Sequence, residues 1–293
     1  MRELTSPSVV KEIIKSHGFR VRKALGQNFL MDANIIDKIV NAAELTPEDL
    51  VFEIGPGLGV LTRRLARSAG KVITVEIDQT LLPILQETLA DFDNIQVVHA
   101  DALKVNFDLI AAEHTAGAFG SNAKSFNLVA NLPYYITTPL LMHLLTSGFN
   151  LNQMVVMMQK EVADRLQASP GGKDYGSLSV AVQYYTVPEI VAKVPKTVFY
   201  PAPEVESAVI RLTRRKVPSV SLQSEEMFFK IVRAAFGQRR KTLLNSLTGS
   251  GLADKETWLK ILSEIEIEPS RRGETLTIQD FALLANTFCA IDK

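Results

Sequence analysis

Short apolar runs alternate with amphipathic segments along much of the chain. Several runs have the length and apolar character of buried strands, at residues 51–54, 71–77, 95–100, 126–132 and 153–159. Apolar residues recur at helical spacing before and between these runs, at residues 34–44, 60–69, 79–90 and 139–146. Apolar strands that alternate with amphipathic helices form a parallel sheet with helices on both faces. The pattern therefore predicts an α/β fold.

The pattern changes in the last third of the chain. Residues 178–187 and 205–212 are rich in β-branched and aromatic side chains with no long helix between them, which predicts an antiparallel finish to the sheet. Residues 213–224 are polar and typical of a linker, and the remaining pattern is helical. We therefore predict two domains, residues 1–215 and a small all-helical domain at 216–293. Residues 111–125 fit neither period and are interpreted as a surface excursion.

Composition excludes several classes of protein. The single cysteine, Cys289, rules out an internal disulfide and a thiolate metal cluster, and the four histidines lack ligand spacing, so we expect no metal. No apolar run reaches the roughly 18 residues of a membrane span, and charged residues near the N-terminus do not resemble a signal peptide. We therefore expect a cytoplasmic protein with no membrane partner.

Charge is distributed unevenly although the net charge is zero. Residues 1–30 carry a net +4 and residues 205–245 a net +6, so the rest of the chain sums to −10. Such segregation can produce a basic surface for nucleic acid on a neutral protein. The alternative is that these basic stretches are solvated helix surfaces, and charge alone does not decide between the two.

Polar groups follow three successive predicted strands. A glycine-rich turn that includes Gly55 and Gly57 comes directly after the first, Glu76 ends the second, and Asp101 ends the third. Ligands of parallel sheets bind at these strand ends, where glycines allow close approach and a carboxylate can accept both ribose hydroxyls. Asp101 can meet an adenine amino group. The G-x-G-x-G spacing differs from that of dinucleotide binders, so the turn predicts a nucleoside cofactor without a pyrophosphate.

The fourth strand ends in Asn131-Leu132-Pro133-Tyr134. The amine of adenine is a poor nucleophile because its lone pair is delocalised into the ring. The Asn131 side-chain oxygen and the Leu132 carbonyl can accept the two amine hydrogens and orient that lone pair for methylation. Pro133 would fix the backbone, and Tyr134 could stack on an extruded base. The alternative is an ordinary strand-to-turn sequence with a core tyrosine.

Six motifs together resemble one family, the bacterial 16S rRNA adenine dimethyltransferases (KsgA/RsmA type) of the class I S-adenosylmethionine-dependent methyltransferases. They are LGQNFLMD (25–32), EIGPGLGVLT (53–62), NLPYYITTPL (131–140), VFYPAPEVESAVIRL (198–212), AAFGQRRKTLLNSL (234–247) and, more weakly, RRGETLTIQDFALLA (271–285). The resemblance implies a Rossmann-like methyltransferase domain with a helical C-terminal domain. It also implies dimethylation of two adjacent adenosines in a 3′-terminal hairpin of 16S rRNA, within an assembling 30S subunit.

The resemblance assigns further residues to the site. It implies cofactor contacts at Asn28 and Leu30, with Gln27 in the same segment, and others at Gly55, Glu76, Asp101 and Asn131. It places Phe199 against the target base opposite Tyr134, with the adjacent Tyr200 as a second candidate. A core aromatic in a loop between strands is the alternative for Phe199. We expect S-adenosylmethionine as the cofactor and a monomer as the oligomeric state.

Basic residues near both ends of the chain are candidates for phosphate contacts with RNA. They are Arg20, Arg22, Lys23, Arg239, Arg240 and Lys241. Ion pairs with nearby acids are the alternative for Arg239 and Arg240. Rival functions are a 23S rRNA adenine methyltransferase of the macrolide-resistance type and a non-catalytic ribosome assembly or transcription factor. A nicotinamide dehydrogenase is disfavoured by the glycine spacing.

Overall fold

A computed structural model describes residues 4–22, 25–115, 125–238 and 240–291 of the chain. Its strands are β1 (Phe29–Leu30), β2 (Leu50–Ile54), β3 (Lys71–Glu76), β4 (Ile95–His99), β5 (Phe126–Asn131), β6 (Leu151–Gln159), β7 (Thr186–Val194), β8 (Phe199–Tyr200) and β9 (Ser207–Arg214). Its first helices are α1 (Pro7–Ser16), α2 (Ala33–Ala42), α3 (Val60–Ala66), α4 (Leu82–Thr88), α5 (Phe107–Thr115) and α6 (Thr137–Thr146). The later helices are α7 (Lys160–Leu166), α8 (Ser177–Tyr185), α9 (Glu225–Gly237), α10 (Leu243–Thr248), α11 (Lys255–Glu264) and α12 (Ile278–Ile291).

Seven of these strands form one sheet in the order β4-β3-β2-β5-β6-β9-β7. The pairs β2–β3, β2–β5, β3–β4 and β5–β6 are parallel, whereas β6 and β9 are antiparallel. The predicted α/β class, with a mostly parallel sheet and an antiparallel finish, is confirmed. Strands β2 and β5 lie at the centre, and their apolar side chains are almost completely buried.

The predicted strand at residues 178–187 is wrong, because residues 177–185 form α8. The Ser179 side chain accepts the Gly176 N–H at 3.0 Å and donates to the Arg165 carbonyl, which fixes the start of the helix. The Gln183 amide donates to the Leu166 and Ala168 carbonyls at 2.9 Å. Strand β7 begins only at Thr186, so β7 and β9 are the strands that close this edge of the sheet.

Contacts between residues group the chain into two compact units. The first contains Met1–Ala163 and Glu189–Arg214, and the second contains Asp164–Pro188 and Arg215–Lys293. This grouping differs from the predicted domains at residues 164–188, which contact the helical unit. One reason is that the Tyr184 hydroxyl donates to Glu225 of α9 at 3.2 Å. The surface excursion predicted at 111–125 begins with the end of α5, and its residues 116–124 lie outside the described ranges.

Two apolar clusters of the first unit join helices to its sheet. Helices α2 and α3 pack on one face through residues such as Ile36, Ile39 and Leu65. A second cluster joins Val10 and Ile13 of α1 to α4 and Phe29. In the second unit, α9 packs against α8, α10 and α12, and an aromatic cluster of Tyr184, Tyr185, Phe228 and Phe229 fills the space between α8 and α9.

Within the described residues, no helix is long and apolar enough to cross a membrane. The same residues contain no group of three or more histidine, cysteine, aspartate or glutamate side chains arranged to hold a metal ion.

Candidate functional site

A cavity in the first unit opens at the carboxyl ends of β2, β3 and β5. Its empty volume, including the open mouth, is about 1090 Å³. The lining contains every residue predicted for the cofactor and for the target base: Gln27, Asn28, Leu30, Gly55, Gly57, Glu76, Asp101, Asn131, Leu132, Pro133, Tyr134 and Phe199. The fold therefore brings together residues that are up to 172 positions apart, from 27 to 199.

The glycine-rich turn connects β2 to α3 and forms one wall of the cavity. The Gly55 N–H donates to the Val75 carbonyl at 3.0 Å, which joins the turn to the end of β3. Gly57 has a φ of 59°, a left-handed conformation that side chains rarely adopt. A Cβ at Gly57 would lie 3.1 Å from the Phe29 ring. Glycine at this position therefore lets the turn approach residues 25–30 closely.

Glu76 and Asp101 lie next to each other at the ends of β3 and β4. The Ala100 N–H donates to the Glu76 carbonyl at 3.0 Å, which joins the residue before Asp101 to the end of β3. Glu76 is only 5% exposed, and burial raises its pKa to about 7 although it accepts the Asp78 N–H. Asp101 is half-buried, and its Oδ1 accepts the Leu103 N–H at 3.0 Å. Both residues line the cavity.

Glu53 also lines the cavity, although the sequence did not predict a role for it. It is 1% exposed, and burial together with the nearby charge of Glu76 raises its pKa to about 8. Its Oε2 has no hydrogen-bond partner among the described residues. The signal was present in the sequence, because an acid within the apolar strand LVFEI is costly unless a ligand or partner uses it.

Asn131 is the last residue of β5 and faces the glycine turn across the cavity. Its Nδ2 donates to the Asn28 carbonyl at 3.2 Å, which leaves Oδ1 as the end of the amide that can accept a hydrogen bond. The Leu132 N–H donates to the Met157 carbonyl at 3.0 Å, so the backbone here still belongs to the sheet. This arrangement fixes the amide that the sequence analysis identified.

Pro133 ends the strand, and a short 3-10 turn at Tyr134–Ile136 leads into α6. The Tyr134 hydroxyl is 2.8 Å from Oγ of Ser207, a wholly buried residue at the start of β9. Burial raises the pKa of Tyr134, so the hydroxyl is neutral. Tyr135 was not predicted but also lines the cavity, and its ring is 52% exposed at the mouth.

Phe199 and Tyr200, the adjacent aromatic residues of the motif at residues 198–212, lie in different environments. Strand β8 pairs antiparallel with β1, with Phe199 opposite Leu30 and Tyr200 opposite Phe29. Phe199 is 4% exposed and lines the cavity. Tyr200 is 36% exposed, and the Lys11 ammonium lies 5.7 Å from its ring centroid. Of the two candidates, Phe199 is therefore the one placed at the site.

Asp78 connects the cavity to Arg22 and Gln27, and the sequence did not predict a role for it. It is 2% exposed and accepts Gln27 Nε2 at 2.8 Å through Oδ2. Its Oδ1 lies 3.3 Å from Arg22 Nη1 and also accepts the Thr80 hydroxyl at 2.6 Å. Burial works against ionisation, but these hydrogen bonds and Arg22 together hold the pKa of Asp78 below its usual value. In the sequence, Asp78 has only the appearance of a helix-capping residue.

The residues predicted to bind RNA differ in exposure and in ion pairing. Arg20 is exposed, whereas Arg22 is half-exposed and forms the ion pair with Asp78. Arg240 and Lys241 are exposed in the turn between α9 and α10. Lys23 and Arg239 lie outside the described residues. Of the predicted cations that the structure describes, Arg20, Arg240 and Lys241 are therefore exposed, while Arg22 is paired with Asp78.

A family model and named relatives match most of the chain. The family model for ribosomal RNA adenine dimethylase matches residues 18–283. A relative from Pelotomaculum thermopropionicum, named ribosomal RNA small subunit methyltransferase A, is 58% identical over 97% of this chain and 97% of its own length. A protein of the same name from Geobacillus kaustophilus is 50% identical over 99% of this chain and 98% of its own length.

Two solved structures have a similar fold. A dimethyladenosine transferase from Plasmodium falciparum is 27% identical and has a TM-score of 0.71, covering 87% of this chain and 95% of that one. The 23S rRNA methyltransferase ErmE is 28% identical and has a TM-score of 0.67, covering 89% of this chain and all of that one.

Proposed function

Because the chain belongs to the ribosomal RNA adenine dimethylase family, we propose that it transfers methyl groups from S-adenosylmethionine to the exocyclic amines of two adjacent adenosines. The family membership inferred from the six motifs is confirmed. The substrate is the 3′-terminal hairpin of 16S rRNA, and the reaction belongs to the biogenesis of the small subunit. The names of the relatives at 50–58% identity favour the small subunit over the 23S RNA of the more distant ErmE.

One observation carries this proposal. The Asn131 amide, whose Nδ2 is held by the Asn28 carbonyl, lines the same cavity as the buried carboxyl groups of Glu76 and Glu53. A group that can orient an amine and a set of groups that can hold a nucleoside therefore face one enclosed space. A protein that only bound RNA would have no use for this combination.

The residues present fit S-adenosylmethionine. Glu76 would accept the ribose hydroxyls and Asp101 the adenine amine, and Glu53 Oε2 is a buried polar atom without a hydrogen-bond partner among the described residues. Gly55 and Gly57 leave room at the turn, while Gln27, Asn28 and Leu30 form the opposite wall. When bound, the cofactor supplies an electrophilic methyl group on its sulfonium.

The remaining residues act on the target adenine. Asn131 Oδ1 and the Leu132 carbonyl accept the two amine hydrogens, which localises the nitrogen lone pair and directs it toward the cofactor side. Pro133 fixes the backbone directly after the Leu132 carbonyl. The Tyr134 and Phe199 rings flank the base, which must leave its helical stack to reach the cavity. Positioning and exclusion of water supply most of the catalysis, since the chemistry needs no strong base.

RNA affinity comes from basic residues outside the cavity. We assign phosphate contacts to Arg20, Arg240 and Lys241, with Arg22, Lys23 and Arg239 as the remaining members of the predicted set. The Rossmann-like part of the chain, residues 1–215, performs catalysis, and residues 216–293 bind RNA in the assembling 30S subunit. The protein acts as a monomer in the cytoplasm, where small subunits are assembled.

The test is transfer of labelled methyl groups from S-adenosylmethionine to purified 30S subunits that lack the 3′-terminal adenine methylation. Purified 50S subunits and 23S RNA serve as controls. Labelled dimethyladenine in the small-subunit RNA alone is the expected result. Label in 23S RNA would support the resistance-type activity instead, and absence of label in both RNAs despite cofactor binding would contradict a methyltransferase function.

A further inference from the structure

We propose that Asp78 is a positioning residue, which holds residues 25–30 against the cofactor cavity through Gln27 and Arg22. This inference rests on the proposed use of S-adenosylmethionine at that cavity. It assigns to Asp78 control over how tightly the cofactor is held, and not a part in methyl transfer itself.

The contacts of Asp78 are too many and too buried for a surface residue. Its side chain is 2% exposed, and each of its two oxygens is occupied. Oδ2 accepts Gln27 Nε2 at 2.8 Å, across 51 positions of sequence. Oδ1 accepts the Thr80 N–H at 3.1 Å and lies 3.3 Å from the Arg22 guanidinium. Charge-assisted hydrogen bonds of this kind are stronger than neutral ones.

Gln27 uses both ends of its amide within the protein. Its Nε2 donates to Asp78, and its Oε1 accepts the Arg22 N–H at 2.7 Å. Both polar ends of the side chain are therefore engaged within the protein, although Gln27 lines the cavity. This arrangement indicates that Gln27 supports the cofactor wall and that Asp78 holds Gln27 in place.

The network continues to the groups proposed to act on the ligands. The Asp78 N–H donates to Glu76 Oε1 at 2.7 Å, so Asp78 also orients the carboxyl group proposed for the ribose. On the other side, the Asn28 carbonyl next to Gln27 accepts Asn131 Nδ2 at 3.2 Å. Loss of the Asp78 contacts would therefore displace Gln27 and the Glu76 carboxyl group first. The Asn131 amide would be affected only through Asn28.

Asp78 also accepts from Thr80 at the start of a short 3-10 turn, and this capping role has to be separated from the proposed one. Asparagine caps helices about as well as aspartate, so Asp78→Asn retains the cap. It loses the negative charge beside Arg22, and its amide nitrogen would face the donating Nε2 of Gln27. The variant therefore removes the contact to Gln27 while leaving the turn intact.

The reversed pair provides the decisive variant. Gln27→Glu alone places two carboxylates side by side, whereas Gln27→Glu combined with Asp78→Asn lets the new asparagine amide donate to the new glutamate. The glutamate can still accept the Arg22 N–H and supplies a charge beside the guanidinium. The double variant thus restores the hydrogen bond with donor and acceptor exchanged.

We would measure the Kd of S-adenosylmethionine for the full-length protein by calorimetry, with methyl transfer to 30S subunits in parallel. Each single variant is expected to weaken cofactor binding about tenfold, and the double variant to return within about threefold of the original protein. The kcat of Asp78→Asn at saturating cofactor should change by less than about twofold. Asp49→Asn, at another capped turn where Asp49 accepts the Thr46 N–H, is the matched control and should leave Kd unchanged.

Two results would overturn the inference. One is a double variant that binds cofactor no better than the single variants, because this would mean a structural role for Asp78 without the Gln27 contact. The other is a loss of kcat with unchanged Kd. Failure of the proposed function is distinguishable from both, since the original protein would then not bind S-adenosylmethionine.

Discussion

The two sides of the cavity differ in their chemistry. The side formed by the ends of β2, β3 and β4 presents carboxyl groups, of which Glu53 and Glu76 are almost completely buried. The side formed by β5 and β8 presents an amide and two aromatic rings, Asn131, Tyr134 and Phe199. Buried carboxyl groups recognise hydroxyl and amino donors, whereas rings and a neutral amide accept a planar base. We therefore expect the first side to determine cofactor affinity and the second to determine the rate of transfer.

The largest effect should come from the amide side. Asn131→Ala removes the acceptor that orients the target amine, and we expect kcat to fall by about 10²–10³, as when one group that stabilises a transition state is removed. RNA affinity should remain within about twofold. Single-turnover methyl transfer and filter-binding of RNA test this. If RNA affinity falls while the transfer rate per bound complex is unchanged, Asn131 is a binding residue and the division between the two sides is wrong.

The next effect concerns the stacking ring. Tyr134→Ala should reduce kcat/KM for RNA by about 10- to 100-fold, because stacking on one base is worth about 1–3 kcal/mol. Tyr134→Phe keeps the ring and loses only the contact with Ser207 Oγ, so it should cost less than about fivefold. Steady-state kinetics with varied RNA concentration provide the comparison. If both variants lose the same amount of kcat/KM, the hydroxyl of Tyr134 and not its ring is what the reaction needs.

The carboxyl side is tested through cofactor binding and pH. Glu76→Gln should raise the Kd of S-adenosylmethionine about tenfold with little change in RNA affinity. Burial raises the pKa of Glu76 to about 7, and ribose hydroxyls donate to the ionised form. Cofactor binding should therefore tighten as the pH rises through 7, and this dependence should disappear in Glu76→Gln. Calorimetry from about pH 6 to about 7.5 measures both. A Kd independent of pH in the original protein would contradict the ribose contact.

The smallest effect lies outside both sides of the cavity. Neutralising Arg240 and Lys241 by glutamine should weaken RNA binding several-fold and reduce the slope of log K against log salt by about one for each lost phosphate contact. Cofactor affinity should not change. Lys260→Gln, another exposed cation in α11, is the control. An unchanged salt slope would mean that Arg240 and Lys241 do not contact phosphate.

The sequence predicted the parts of this molecule that depend on local pattern. Strands β2 to β6 and the positions of Glu76, Asp101 and Asn131 at or just after strand ends follow from apolar periodicity and the rules of parallel sheets. The role of Asp78 depends on Gln27, which is 51 positions away and carries no local signal. The local pattern is therefore enough to place Glu76, Asp101 and Asn131. A contact such as that between Asp78 and Gln27 is revealed only by the tertiary structure.

The error at residues 178–187 has a related cause. Its alternation of valine and aromatic residues is typical of a strand, yet Gly176, Ser179 and Gln183 form hydrogen bonds that favour a helix. Three of those bonds reach the carbonyls of Arg165, Leu166 and Ala168, which no periodicity in the segment itself indicates. Short apolar runs are ambiguous between strand and helix until such partners are known.

The pairing of β1 with β8 has a consequence for protein engineering. Leu30 on the proposed cofactor wall lies opposite Phe199 on the base side, and the Met31 N–H donates to the Val198 carbonyl at 2.9 Å. A library that randomises residues around Phe199 to admit a different nucleobase will also displace the backbone that holds the methyl donor. Variants with altered specificity will therefore arise most often when residues 30 and 199 are randomised together and selection is carried out at saturating cofactor.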